Sequence, residues 1–88
     1  MKYQIFFSGS AEKNLRKLPT KIVPKVREKI FNLADDPRPH GAIVLKDFKP
    51  ETWRIRIGEW RVLYRIEDKV KIINISRILH RREVYRKK

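Results

Sequence analysis

The chain is expected to fold as an α+β sandwich, with two N-terminal helices packed on one face of a mostly antiparallel, four- to five-stranded sheet in the order β-α-α-β-β-β-β. Three observations predict this. Apolar residues recur at spacings of three and four between residues 11 and 33, alternating segments follow from residue 42, and a Pro- and Asp-containing loop at 35–41 separates the two regimes. Strands bunched after helices pair with one another through short turns, which favours antiparallel neighbours. At 88 residues and 41% hydrophobic, the chain reads as one domain, 1–88, ending in a short basic tail at 86–88. A chain of that length buries only about 60 to 65% of its unfolded surface, so its core is thin.

Taken in order, Tyr3, Ile5 and Phe7 alternate with Lys2, Gln4 and Phe6, giving a first strand that ends at Ser8-Gly9-Ser10. Ser10 is placed to cap a helix whose stripe is Ala11, Leu15 and Leu18 and which Pro19 closes. Thr20 is placed to cap the next, with Pro24 tolerated in the first turn and Ile22, Val26, Ile30 and Leu33 on one face. After the loop come strands at 42–46, 52–57, 60–66 and 70–78.

Charge is the strongest compositional signal. The net charge is +13, and it is unevenly spread: residues 45–88 hold 14 Lys or Arg against six Asp or Glu, and eight of the eleven arginines. Such a balance calls for a polyanionic partner, and arginine's planar fork suits phosphate, so the second half should carry the anion site. The absence of cysteine excludes disulfides and thiolate metal sites, and two well-separated histidines, His40 and His80, cannot make a zinc site on their own. No metal or other cofactor is expected. Nor is there a signal-peptide core or a run of about 20 apolar residues, so the expectation is a cytoplasmic protein with no membrane partner.

The segment Trp53 to Arg65 is the most informative. Gly58-Glu59 as a two-residue loop puts Gly at the first central position of a type II′ turn, which sets 57 opposite 60, 56 opposite 61 and 54 opposite 63. Trp53, Ile55, Ile57, Trp60, Val62 and Tyr64 then share the helix-facing side. Arg54, Arg56, Arg61 and Arg65 share the other, around Leu63, with Arg56 directly across from Arg61. Like charges in register repel by tenths of a kcal/mol up to ~1, and a bound anion relieves that. A turn near Glu67-Asp68-Lys69 places Ile73 and Ile75 in the core and adds Ile72, Asn74 and Ser76 to the arginine face. Leu63 fits either a partner contact or a small apolar cluster.

At the C-terminus, six of the last twelve residues are Lys or Arg, interrupted by Val84 and Tyr85. Tyr85 brings a stacking ring and an ionisable hydroxyl into a cationic setting.

These motifs resemble the RelE/ParE toxin superfamily over nearly the whole chain. The residues that carry the resemblance are Ala11 and Leu15 to Pro19, Leu45-Lys46-Asp47-Phe48, Trp53 to Tyr64, and His80-Arg81-Arg82-Glu83-Val84-Tyr85; the last two segments are the specific ones. The resemblance to the RelE branch implies a ribosome-dependent, metal-free endoribonuclease that cuts mRNA in the A site and is held in check by a cognate acidic, RelB-like antitoxin. It matches the basic strand pair to Arg54 and Arg56, the hairpin arginine to Arg61, and the catalytic arginine and tyrosine to Arg81 and Tyr85. His80 and Arg82 are adjacent alternatives to Arg81, and many relatives carry Gly where this chain has Leu79. Arg65, Arg82 and Arg86 complete the phosphate-binding set. A ParE-like inhibitor of DNA gyrase and a non-catalytic nucleic-acid-binding module are the competing expectations.

Overall fold

The computed structural model describes residues 2–85, the side chains of Val84 and Tyr85 excepted. The elements are β1 (Gln4–Phe7), α1 (Gly9–Lys17), α2 (Val23–Asn32), β2 (Ile43–Leu45), β3 (Thr52–Ile57), β4 (Trp60–Glu67), β5 (Ile72–His80) and α3 (Arg81–Tyr85). The five strands form one sheet in the order β1-β5-β4-β3-β2. All pairs are antiparallel except β1 with β5, where Gln4 faces Ile72 and Phe7 faces Ile75. No described helix is long and apolar enough to cross a membrane.

The helices pack on one face, α1 against β5 and β1, α2 against β3. Ala11, Leu18, Val26, Ile30 and Leu33 meet Ile55, Ile57, Val62, Tyr64, Ile73, Ile75 and Ile78 in a single buried cluster. The expected stripes are thus the core, with Leu15 and Ile22 half-buried at its margin. Tyr64 is fully buried and donates its hydroxyl to the Pro37 carbonyl at 2.7 Å, which ties the 35–41 loop to the sheet. Burial raises that phenol's pKa, so it stays a donor.

Both helix starts differ from expectation. Ser8, not Ser10, caps α1: its backbone is extended and its Oγ accepts from Ala11 N at 2.9 Å, leaving Ser10 inside the first turn. Ser8 was the better choice because the same hydroxyl donates to the Ser76 carbonyl at 2.8 Å and joins β5 to the helix start. Thr20 does not cap α2. The chain makes a tight turn from Pro19 to Ile22 first, and the helix begins at Val23 with Ile22 as an uncapped N-terminal residue and Pro24 in its first turn.

The β3–β4 hairpin has the expected register throughout, Trp53 to Ile57 against Tyr64 to Trp60. Gly58 takes φ +60°, the left-handed value that the first central position of a type II′ turn demands. The next turn is longer than expected. Glu67 pairs with Ile72, so four residues, Asp68 to Lys71, make the connection, and Lys71 sits at φ +58°. Lys71 is held there by its carbonyl, which accepts from Gln4 N at 2.9 Å, and by its ammonium over the Tyr3 ring at 5.1 Å.

Candidate nucleic-acid interface

Alternation on β3 and β4 puts Arg54, Arg56, Arg61, Leu63 and Arg65 on the face away from the helices, as the hairpin register requires. A register shift at Leu63/Tyr64 then changes what β5 contributes. Tyr64 pairs with Ile75 while Leu63 pairs with Arg77, so Ser76 is the extra residue, and its Oγ donates to the Leu63 carbonyl at 3.0 Å. Beyond the bulge the parity of β5 reverses. Ile78 enters the core, and Arg77 and Leu79 join the arginine face opposite Leu63 and Arg61. Strict alternation from Ile73 and Ile75 would have buried Arg77. The signal that reveals it is the apolar spacing Ile73, Ile75, Ile78, two residues and then three.

The face is therefore built in rows across the strands. Arg56, Arg61 and Leu79 form one, Arg54, Leu63 and Arg77 the next, and Arg65 lies beside Asn74 in a third. Arg54 and Arg61 are only 7% and 4% exposed, while Arg56 and Arg77 are open to solvent. Arg56 and Arg61 do stand in register, and Arg61 turns back on the hairpin tip, its Nη1 donating to the carbonyls of Gly58 at 3.0 Å and Trp60 at 3.1 Å. Those carbonyls are dipoles and not counter-ions. The Nε atoms of Arg61 and Arg65 are buried with no acceptor, and no carboxylate pairs with Arg56, Arg61, Arg65 or Arg77 among the described residues. Unneutralised cations this close together cost free energy, and an anion on the face recovers it.

Two hollows flank this strip. One, of about 670 Å³, is lined by Leu63, Leu79, Phe48, Thr52, Arg65 and Arg77 among others. The second, of about 460 Å³, is bounded by Arg54, Arg56, Lys29 and His40. Leu63 is 2% exposed, so it belongs to a small apolar cluster and is not a free contact surface. Phe48, drawn from the sequence only as part of a pattern, is an aromatic residue lining the larger hollow. The expected site gave it no role.

The C-terminal cluster meets the hairpin at its tip. His80, the last residue of β5, pairs with Trp60 and lies edge-on to its ring at 5.2 Å, on the side opposite Arg61. His80 also caps α3: its Nδ1 accepts from Arg82 N at 3.3 Å and Glu83 Oε1 accepts from His80 N at 2.9 Å, a reciprocal capping box. Arg81 is held by Glu59 twice, through the Arg81 N to Glu59 carbonyl bond at 2.8 Å and an Arg81 Nε to Glu59 Oε1 ion pair at 2.7 Å. Arg82 is exposed. The hairpin tip and α3 thus bring Arg61, His80 and Arg81 to one end of the sheet. The Tyr85 side chain and Arg86 lie outside the described residues. No group of three or more His, Cys, Asp or Glu placed to hold a metal occurs among the described residues.

Residues 5–85 match the family model of the ParE toxin of type II toxin–antitoxin systems, parDE. The chain is 34% identical over 88 residues to toxin RelG of Mycobacterium tuberculosis, covering 99% of this chain and 100% of that one. It is 32% identical over 88 residues to putative toxin RelE1 of Methanocaldococcus jannaschii, covering 98% of each. Among solved structures it resembles the toxin–antitoxin complex RelBE2 of M. tuberculosis, with a TM-score of 0.79 and 32% identity over 91% of this chain and 99% of that one. The archaeal RelE–RelB complex of Pyrococcus horikoshii gives a TM-score of 0.79 at 27% identity, covering 92% and 97%.

Proposed function

Since the chain belongs to the RelE/ParE superfamily, as a toxin of a type II toxin–antitoxin system, we propose that it is a RelE-type endoribonuclease that cuts mRNA in the ribosomal A site. The observation that carries this reading is the arginine strip, in which Arg56, Arg61, Arg65 and Arg77 meet no carboxylate among the described residues, ending beside a second cationic cluster at the hairpin tip. RNA supplies its own nucleophile. The 2′-hydroxyl gives up its proton, the O2′–P bond forms through a phosphorane of higher negative charge, and the P–O5′ bond breaks as the 5′-oxygen takes up a proton. The products are a 2′,3′-cyclic phosphate and a free 5′-hydroxyl. Such a reaction needs in-line positioning, charge stabilisation and proton transfer, all within reach of side chains.

In this reading Arg54, Arg56, Arg65 and Arg82 position flanking phosphates, with Arg86 extending the set. Arg61, buried and already preorganised by two carbonyls, neutralises the phosphorane. Tyr85 acts as the base or as the ring on which the reacting base stacks, and Arg81 assists the leaving oxygen. Arg77, which the bulge turns outward, joins the phosphate set. A RelB-like, acidic antitoxin is the partner that neutralises the same face in the resting complex, as the RelB-containing complexes of similar fold suggest.

One observation favours a second reading: the matching family model is that of the ParE toxin, a branch associated with gyrase inhibition rather than RNA cleavage. The decisive experiment is in vitro translation on stalled ribosomes, with mRNA cleavage read by primer extension for the wild type, Arg61→Ala and Tyr85→Phe. Cleavage by the wild type that both variants lose supports the RelE reading. Equal cleavage by all three overturns the site, and gyrase inhibition without cleavage establishes the ParE one.

A further inference from the structure

The same hairpin tip holds two arginines by different means. Gly58 and Trp60 hold Arg61 through backbone carbonyls, and the residue between them holds Arg81. We propose that Glu59 is a positioning residue that sets the guanidinium of Arg81 at the cleavage site; this rests on the ribonuclease reading above.

Glu59 fixes Arg81 at both ends of the side chain. Its carbonyl accepts from Arg81 N at 2.8 Å, which places the Cα, and its carboxylate lies 2.7 Å from Nε as an ion pair, which places the head. Pairing through Nε leaves both Nη atoms of Arg81 without a partner among the described residues, so the terminal edge of the fork is available to a phosphate or a leaving oxygen. The pair is 55% and 62% exposed, too open to add much to stability. Its effect is orientational. It removes rotamer freedom from a long side chain before substrate arrives.

The adjacent candidates are placed otherwise. The ring of His80 packs edge-on to Trp60, across the sheet from the arginine strip, and its Nδ1 is committed to capping α3. Arg82 is exposed, and no described side chain orients its head. Among the described residues, Arg81 is the one of the three consecutive candidates whose guanidinium pairs with another side chain. Glu59 is what distinguishes it, from 22 positions upstream (81 − 59).

The test is single-turnover cleavage on stalled ribosomes with saturating toxin, comparing the wild type with Glu59→Gln, Glu59→Asp, Arg81→Ala and Glu59→Gln/Arg81→Ala. A misplaced head should slow cleavage roughly ten- to hundredfold while ribosome affinity stays within about twofold. Glu59→Asp should recover part of the rate. The double variant should be no slower than Arg81→Ala alone, because Glu59 acts only through Arg81. Additive losses, or faster cleavage by Glu59→Gln, would overturn the proposal. A second readout does not need activity. The Arg81 Nε–Hε resonance should be protected from exchange in the wild type and lose protection in Glu59→Gln, with circular dichroism unchanged. A wild type that cuts nothing but shows this protection defeats the ribonuclease reading and keeps the tether. An unprotected wild-type resonance defeats the tether itself.

Discussion

Arginine is used in two opposite ways at the two ends of this sheet. At one end Arg38, from the 35–41 loop, forms a forked pair with Asp68 at 2.8 and 3.4 Å and lies 5.4 Å from the Trp53 ring centroid. Tyr3 donates its hydroxyl to the same carboxylate at 2.7 Å. Hydrogen bonds from Arg38 and then Tyr3 hold the Asp68 carboxyl down at about 2, and the bond to Asp68 raises the Tyr3 phenol in return. At the other end, beside the hairpin tip, Arg56 and Arg61 meet no carboxylate among the described residues. Counting arginines would rank these sites alike. What separates them is whether the fold supplies the counter-charge: where it does, the arginine joins loop to turn, and where it withholds it, the site is left to be completed from outside.

Breaking the contrast at the cationic end should give the largest effects. Tyr85→Phe is expected to lower single-turnover mRNA cleavage by ~10²- to 10⁴-fold if the hydroxyl moves a proton, and by much less if the ring only stacks. Arg61→Ala should cost roughly 10²- to 10³-fold in rate, the usual loss for one preorganised charge-stabilising group, with thermal stability little changed because the removed cation had no counter-ion. Arg77→Ala should act on binding and not on rate. Affinity for single-stranded RNA falls, and the slope of log K against log salt shrinks by about 0.7 to 1, as for a single phosphate contact.

At the paired end the expected effects are smaller and of another kind. Asp68→Asn should lower the midpoint of thermal unfolding at neutral pH and leave cleavage untouched. The sign of its pH dependence follows from the depressed carboxyl. The carboxylate's contribution is fully present above its ordinary value of 3.8 and fades as pH falls through about 2. Wild type and Asp68→Asn should therefore differ in stability at pH 6 and converge towards pH 2. A gap that persists in acid would mean that Asp68 acts through packing and not charge.

Much of the arginine face could be read from residue order because it depends on local rules. A two-residue loop beginning with glycine fixes the register of β3 and β4, and period-two alternation then sorts Arg54, Arg56, Arg61 and Arg65 from Trp53, Ile55 and Val62. Features decided by distant partners could not be read in this way. Ser8 replaces Ser10 as a cap because Ser76 engages it from β5. The four-residue turn at Asp68 to Lys71 suits contacts with Tyr3 and Arg38, which no local propensity encodes. The bulge at Ser76 reverses parity and so hides Arg77. Three neighbouring residues, His80, Arg81 and Arg82, stay equivalent until the hairpin tip is placed beside them.

The parallel pairing of β1 with β5 has a consequence for how the molecule comes into being. The first strand made must wait for the last one, since Ser8 and the Ser76 carbonyl that it engages are 68 residues apart. Until β5 has emerged from the translating ribosome, Ile5 and Phe7 have no strand to join and the sheet cannot close. Arg77 and the residues that α3 brings to the hairpin tip are added by that same closing segment. A chain that stops short of β5 therefore carries the hairpin arginines without Arg77, Leu79 and the α3 residues that complete the face.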